Sequence, residues 1–173
     1  MKRVITLAVM LLVAAFAVEA KAQSSLLVGK WKLNDTSILG DDGLECTKYT
    51  IAFDADGEGE LEVEADTKIE LDDQYTLYAT IEIDAEFTWQ LSGSTLSLSN
   101  IDIETDCDDI SITPYSEEYN QLIPMMKEAM LADYQEHKEK YTSTSLNLIG
   151  DWSVRFINND IIQLDDETCI RVR

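Results

Sequence analysis

Histidine occurs once in this chain of 173 residues, proline twice, cysteine three times and glycine seven times, while 13 basic residues stand against 34 acidic ones. Each shortage removes a class of chemistry. A lone His137 provides no histidine pair for zinc. The few glycines form neither a phosphate-cradling loop nor a G-x-S-x-G elbow. A catalytic thiol needs a nearby cation to hold its thiolate, and the single histidine lies in a different kind of segment from Cys46, Cys107 and Cys169. A net charge of −21 repels phosphate backbones and anionic lipid, which argues against nucleic acid or a membrane surface as partner. Carboxylate pairs are plentiful but unremarkable: Glu82 and Asp84 fall on a polar face opposite Ile81 and Ile83, where nothing desolvates a carboxyl and raises its pKa. The expectation is a non-enzymatic protein with no catalytic residue and no cofactor.

After residue 22 no apolar run approaches the length of about eighteen residues that a membrane span needs. The one long run opens the chain. Lys2 and Arg3 precede an apolar stretch from Val4 to Val18, and Ala20-Lys21-Ala22 closes it with the small-x-small pattern of a cleavage site. Residues 1–22 therefore read as a secretory signal peptide removed before Gln23, leaving a single domain over 23–173 that is secreted or periplasmic. No cysteine sits at the cleavage point to carry a lipid. Cleavage takes Lys2, Arg3, Lys21 and Glu19 with it, so 10 basic and 33 acidic residues remain and the mature charge is −23. Acid on outward strand faces confers solubility and blunts exposed edges. Three cysteines in an exported chain predict one disulfide and one leftover thiol. Cys46 precedes a strand and Cys107 lies among aspartates, so a loop-to-loop bridge between Cys46 and Cys107 is the first expectation, with other pairings open.

Over the mature chain the dominant period is two. Tyr49, Ile51 and Phe53 alternate with Lys48, Thr50 and Ala52, and Leu61, Val63 and Ala65 alternate with Glu60, Glu62 and Glu64. The pattern recurs over Tyr75 to Ile83, in Phe87, Trp89 and Leu91, in Leu96 and Leu98, in Ile101 and Ile103, and in Ile110 and Ile112. One wet face per strand indicates antiparallel pairing, because parallel strands are covered on both faces. Turn chemistry at Asp54-Ala55-Asp56-Gly57, Leu71-Asp72-Asp73, Ser92-Gly93-Ser94 and Asn158-Asn159-Asp160 divides the chain into a meander. The expected fold is all-β, an up-and-down barrel of about 8–10 strands whose closure removes the sheet edges.

One segment, 116–141, breaks this period. Ser116 caps it, Glu117 and Glu118 follow in the first turn, and Tyr119, Leu122, Ile123, Met126, Met130, Tyr134, His137 and Tyr141 fall on one stripe. It reads as an amphipathic helix packing on or capping the barrel, kinked or divided at Pro124. For metal, Asp54-x-Asp56-Gly57-Glu58-Gly59 has the glycine of a calcium loop at position six. Ala65 stands where the bidentate Glu belongs, so a hairpin turn is the better reading and no metal is expected. The aspartates at Asp41-Asp42, Asp72-Asp73, Asp106 to Asp109 and Asp165-Asp166 would bind calcium only if their loops converged at one rim.

Gly29-Lys30-Trp31, directly after Leu26-Leu27-Val28, resembles the G-x-W signature with which lipocalins open their first strand. The hairpins Tyr49 to Gly57 and Phe87 to Leu96 resemble those of bacterial secreted lipocalin-like proteins, as do Trp152 to Phe156, the Asn158-Asn159-Asp160 turn and Cys169 to Val172 after the helix. Other lipocalin signatures have no counterpart here, and the arginine that packs on the first-strand tryptophan would have to come from a residue such as Arg171. The resemblance implies a calyx in which Trp31 closes one end and a small hydrophobic ligand sits against residues such as Trp31, Tyr49, Phe87 and Trp89. The alternative is a solidly packed barrel that meets a protein partner through its acidic face or its helix. In both readings the protein is a monomer.

Overall fold

The computed structural model describes residues 23–34, 44–136 and 151–173. The signal segment 1–22, Asp41-Asp42, and the end of the expected helix with His137 and Tyr141 lie outside the described residues. A helical segment over 23–27 (α1) leads into β1 (Gly29–Leu33), β2 (Leu44–Phe53), β3 (Glu58–Glu70), β4 (Thr76–Ser92) and β5 (Thr95–Thr113). Two helices follow, α2 (Glu117–Asn120) and α3 (Ile123–Glu136), then β6 (Asp151–Asn158), β7 (Ile161–Leu164) and β8 (Glu167–Arg171). Every strand pairs antiparallel with its sequence neighbour, and β1 pairs with β8 to close the ring. The all-β antiparallel expectation is met.

The stretches that looked like separate strands within β4 and β5 are continuous. No glycine or proline interrupts either strand, and two bulges absorb the changes of phase. Between Glu86↔Asp102 and Thr88↔Ser99 one residue of β4 opposes two of β5, and the same happens between Tyr78↔Ser111 and Thr80↔Asp108. The extra residues are accommodated by Asn100 at φ 52° and Asp109 at φ 49°. Asn and Asp are the side chains that tolerate the left-handed region best. At each bulge the inward-facing set on β5 switches parity, from Leu96 to Ile103 and Cys107, and back to Ile112.

The main core fills the ring with Leu27, Trp31, Ile51, Phe53, Leu61, Phe87, Leu96 and Ile162, all nearly inaccessible. Gly59 is required here by close approach. A Cβ at this position would lie 2.4 Å from the Phe87 ring and 2.7 Å from the Ala52 carbonyl oxygen, so the bare backbone is what lets the ring come this close to β3. A second cluster, Leu77, Ala79, Cys107 and Ile112, sits at the far end of the β4–β5 hairpin beneath α2 and α3.

The helical stretch differs in part from the sequence reading. Ser116 caps α2 by accepting from the Tyr119 amide at 3.4 Å, as its position suggested. Gln121 and Leu122 divide the two helices, and Pro124 falls in the first turn of α3, where its missing N–H leaves no hydrogen bond unmade. Tyr119, Ile123, Met126 and Met130 face the sheet as the stripe predicted, joined by Leu131, while Leu122 is exposed.

The expected Cys46–Cys107 disulfide is absent, and all three cysteines are free and buried. Neither Cys46 nor Cys107 belongs to a loop. The register aligns Cys46 with Ala65, Ala65 with Ile81 and Ile81 with Cys107, so β3 and β4 lie between the two thiols. At ordinary strand spacing three steps span about 14 Å. A disulfide requires Cα atoms within about 7 Å.

Candidate functional site

The two ends of the ring are built differently. At one end Trp31 is completely buried, and its indole N–H donates to the Leu27 carbonyl at 2.7 Å. Arg171, opposite Trp31 in the β1–β8 register, places its guanidinium carbon 4.1 Å from the ring centroid. Its Nε donates to Asn159 O at 2.8 Å, Nη1 to Val28 O at 2.8 Å and Nη2 to Leu26 O at 2.7 Å. This fork satisfies three carbonyls around the strand entry and stacks a cation on the indole face. Gly29 has φ +133°, and an added Cβ would come within 2.3 Å of Arg171 Nη1, so glycine is needed for both conformation and space. The Gly29, Trp31 and Arg171 set thus forms one lock, and the arginine is the residue that the sequence offered.

Of the other residues selected from sequence, Tyr49 and Phe87 are buried in the same core, while Trp89 is half-buried at its edge and donates to Glu58 O at 2.8 Å. Phe53 joins them edge-on, its ring centroid 6.0 Å from Phe87 and 5.5 Å from Trp89. Sequence reading passed over Phe53 as a site residue although it shares the alternation of Tyr49 and Ile51. Burial pushes the Tyr49 hydroxyl far above its ordinary range. It also raises the thiols of Cys46 and Cys107 and carries Cys169 up to about 12, with Glu167 adding to the effect. While buried, these thiols are protonated at neutral pH and serve as packing groups.

Away from this lock, α2 and α3 lie on the far part of the β4–β5 hairpin, mainly against β5, and their packing is lighter. No described side chain of α2 or α3 is fully buried. Tyr119 packs against Tyr75 with the rings tilted by 54° and their centroids 4.9 Å apart, and it donates its hydroxyl to Asp72 at 2.8 Å, while Lys127 pairs with Asp106 at 2.9 Å and Asp108 at 3.6 Å. The Gln74 amide first, and then the Tyr119 hydroxyl, hold the Asp72 carboxyl below its usual range. Lys127 does the same for Asp106, helped by the Cys107 amide.

Outside, β3, β4 and β5 align their acidic residues in rows. The register sets Glu60, Glu86 and Asp102 side by side, then Glu62, Asp84 and Glu104, then Glu64, Glu82 and Asp106. Like charges directly opposite one another are destabilising, so this face carries an electrostatic load. Cations reach it from the rims. Lys30 binds Glu62 at 3.0 Å, Lys48 binds Glu64 and lies 3.7 Å from Glu62, and Lys127 approaches from the β5 side. Lys30 above all keeps the Glu62 carboxyl below its normal range. An open groove of about 290 Å³ runs between the first two rows, and an adjoining one of about 230 Å³ extends it past Thr88 and Asn100 to Asp54 and Glu58.

The Asp54 segment forms a hairpin turn in which Gly57 N donates to Asp54 O at 3.1 Å and Gly57 adopts φ +95°. Among the described residues no group of three or more His, Cys, Asp or Glu is placed to hold a metal ion. Nor is any described helix long and apolar enough to cross a membrane. No model of a known protein family matches the chain, and no curated protein is detectably similar to it.

Proposed function

We propose that this is an exported, non-enzymatic barrel of the lipocalin-like kind that takes a small apolar molecule at the end covered by α2 and α3. The observation that carries the reading is the contrast between the two ends. One is sealed by the fully buried Trp31 under the three hydrogen bonds of Arg171, whereas the far part of the β4–β5 hairpin is covered by helices in which no described side chain is fully buried. A small-molecule site is concave and mostly apolar, and displacing these helices would open such a surface over Leu77, Ala79 and Ile112. Nile red is a suitable probe because it is neutral and escapes repulsion by an acidic protein. Titration into the mature protein should give a saturable rise in fluorescence at one equivalent, retained at high salt. A response that never saturates would set the reading aside.

A second reading is favoured by the outer groove, whose carboxylates fit a cationic protein segment. Labelled octalysine should then bind with an affinity that falls steeply as salt rises. A triple variant, Asp84→Asn, Glu86→Gln and Asp102→Asn, should weaken that binding at least tenfold while raising thermal stability through relief of the like-charge rows. Equal binding by variant and parent would exclude the groove.

A further inference from the structure

We infer that α2 and α3 form a strap that opens as a unit while the ring stays closed, uncovering the apolar face of Leu77, Ala79, Cys107 and Ile112. Three observations converge on this. The strap's inward side chains, Tyr119, Ile123, Met126, Met130 and Leu131, are only partly buried, whereas the four residues beneath them are almost wholly inaccessible. Among the described residues its polar ties to the sheet include solvent-exposed ones, Tyr119 to Asp72 and Lys127 to Asp106 and Asp108. Such ties are individually weak. The cluster it covers is separate from the main core that holds Trp31, Phe53 and Cys169, so lifting the strap leaves the ring's own packing intact. Units with few buried apolar contacts and exposed polar attachments are the ones that open below the cost of global unfolding. As the entry route for an apolar ligand, the strap rests on the function proposed above; as a unit of opening, it does not.

The chain contains its own reporters. Cys107 lies under the strap and is 1% exposed, while Cys46 and Cys169 belong to the main core. Maleimide labelling of the native mature protein, with each site assigned by mass spectrometry, reads the two regions separately. Cys107 should label at least tenfold faster than Cys46 and Cys169. The pair Tyr119→Phe and Lys127→Met, which keeps the ring and the aliphatic stem but removes these ties, should speed Cys107 labelling about tenfold and leave the other two rates unchanged. A common rate for all three thiols, or an equal acceleration of all three in the variant, would show that only global unfolding exposes them and would overturn the strap. Nile red then separates the two claims. Fast Cys107 labelling without saturable dye binding keeps the strap and removes the ligand, whereas dye binding with slow Cys107 labelling removes the strap and keeps the ligand.

Discussion

Truncation of Trp31 to Ala should cost about 3–5 kcal/mol, the range for deleting a fully buried aromatic, because the ring sits at zero exposure within the main core. The loss has a second source. Arg171 would keep its three carbonyl partners but lose the indole face 4.1 Å away, exposing the guanidinium's apolar surface to a void. Thermal unfolding should shift down by about 10 °C for a domain of this size. A change under about 0.5 kcal/mol, typical of surface positions, would mean that Trp31 does not close the ring and would withdraw the lipocalin-like reading with it.

The substitution Gly59→Ala should be the next most damaging, at about 2–3 kcal/mol despite adding a single methyl group. The new Cβ meets two Phe87 ring atoms at 2.4 and 2.7 Å and the Ala52 carbonyl oxygen at 2.7 Å. The carbonyl cannot retreat, since Ala52 is held in the β2–β3 ladder opposite Glu60. The ring cannot swing freely, because Phe53 packs against it edge-on. Chemical denaturation of Gly59→Ala alone and of the double variant Gly59→Ala/Phe87→Leu would separate these causes. The smaller leucine should recover part of the loss, and an unchanged loss would place the strain on the backbone contact alone.

Much of the ring was legible because strand alternation reports directly which side chains face inward. Tyr49, Ile51 and Phe53, and likewise Leu61 and Val63, are buried in the phase their spacing gave. The apolar pairs Leu96 and Leu98, Ile101 and Ile103, and Ile110 and Ile112 were also correctly picked out, but their changes of parity imitated strand boundaries. A bulge and a turn leave the same mark on periodicity. What tells them apart is the residue at the break, and Asn100 and Asp109 are side chains that serve either purpose. The disulfide expectation failed for a related reason. Aspartates around Cys107 suggested a loop, yet they are the outward half of an alternating strand whose inward half carries the cysteine. The carboxylate rows were hidden because no single strand reveals its register with the next. Arg171 was legible as a candidate only because few basic residues were available, and its three carbonyl partners, two of them near the other end of the chain, were beyond reach of any local pattern.

The order of the strands has a consequence for how the chain assembles. All pairings join sequence neighbours except that of β1 with β8, and at that seam Arg171 donates to Val28 across 143 positions. Hairpins form from nearby segments and need little loop closure, whereas the seam must wait until the whole meander is arranged. Folding therefore runs through two sets of local hairpins, β1–β5 and β6–β8, joined where Leu96 pairs with Trp152 across the helical segment and completed by the β1–β8 clasp, at which the tryptophan–arginine stack lies. Because the start of β1 lies beside the end of β8, that clasp closes only when the last strand has returned to the first, and formation of the Trp31–Arg171 contact marks completion of the ring.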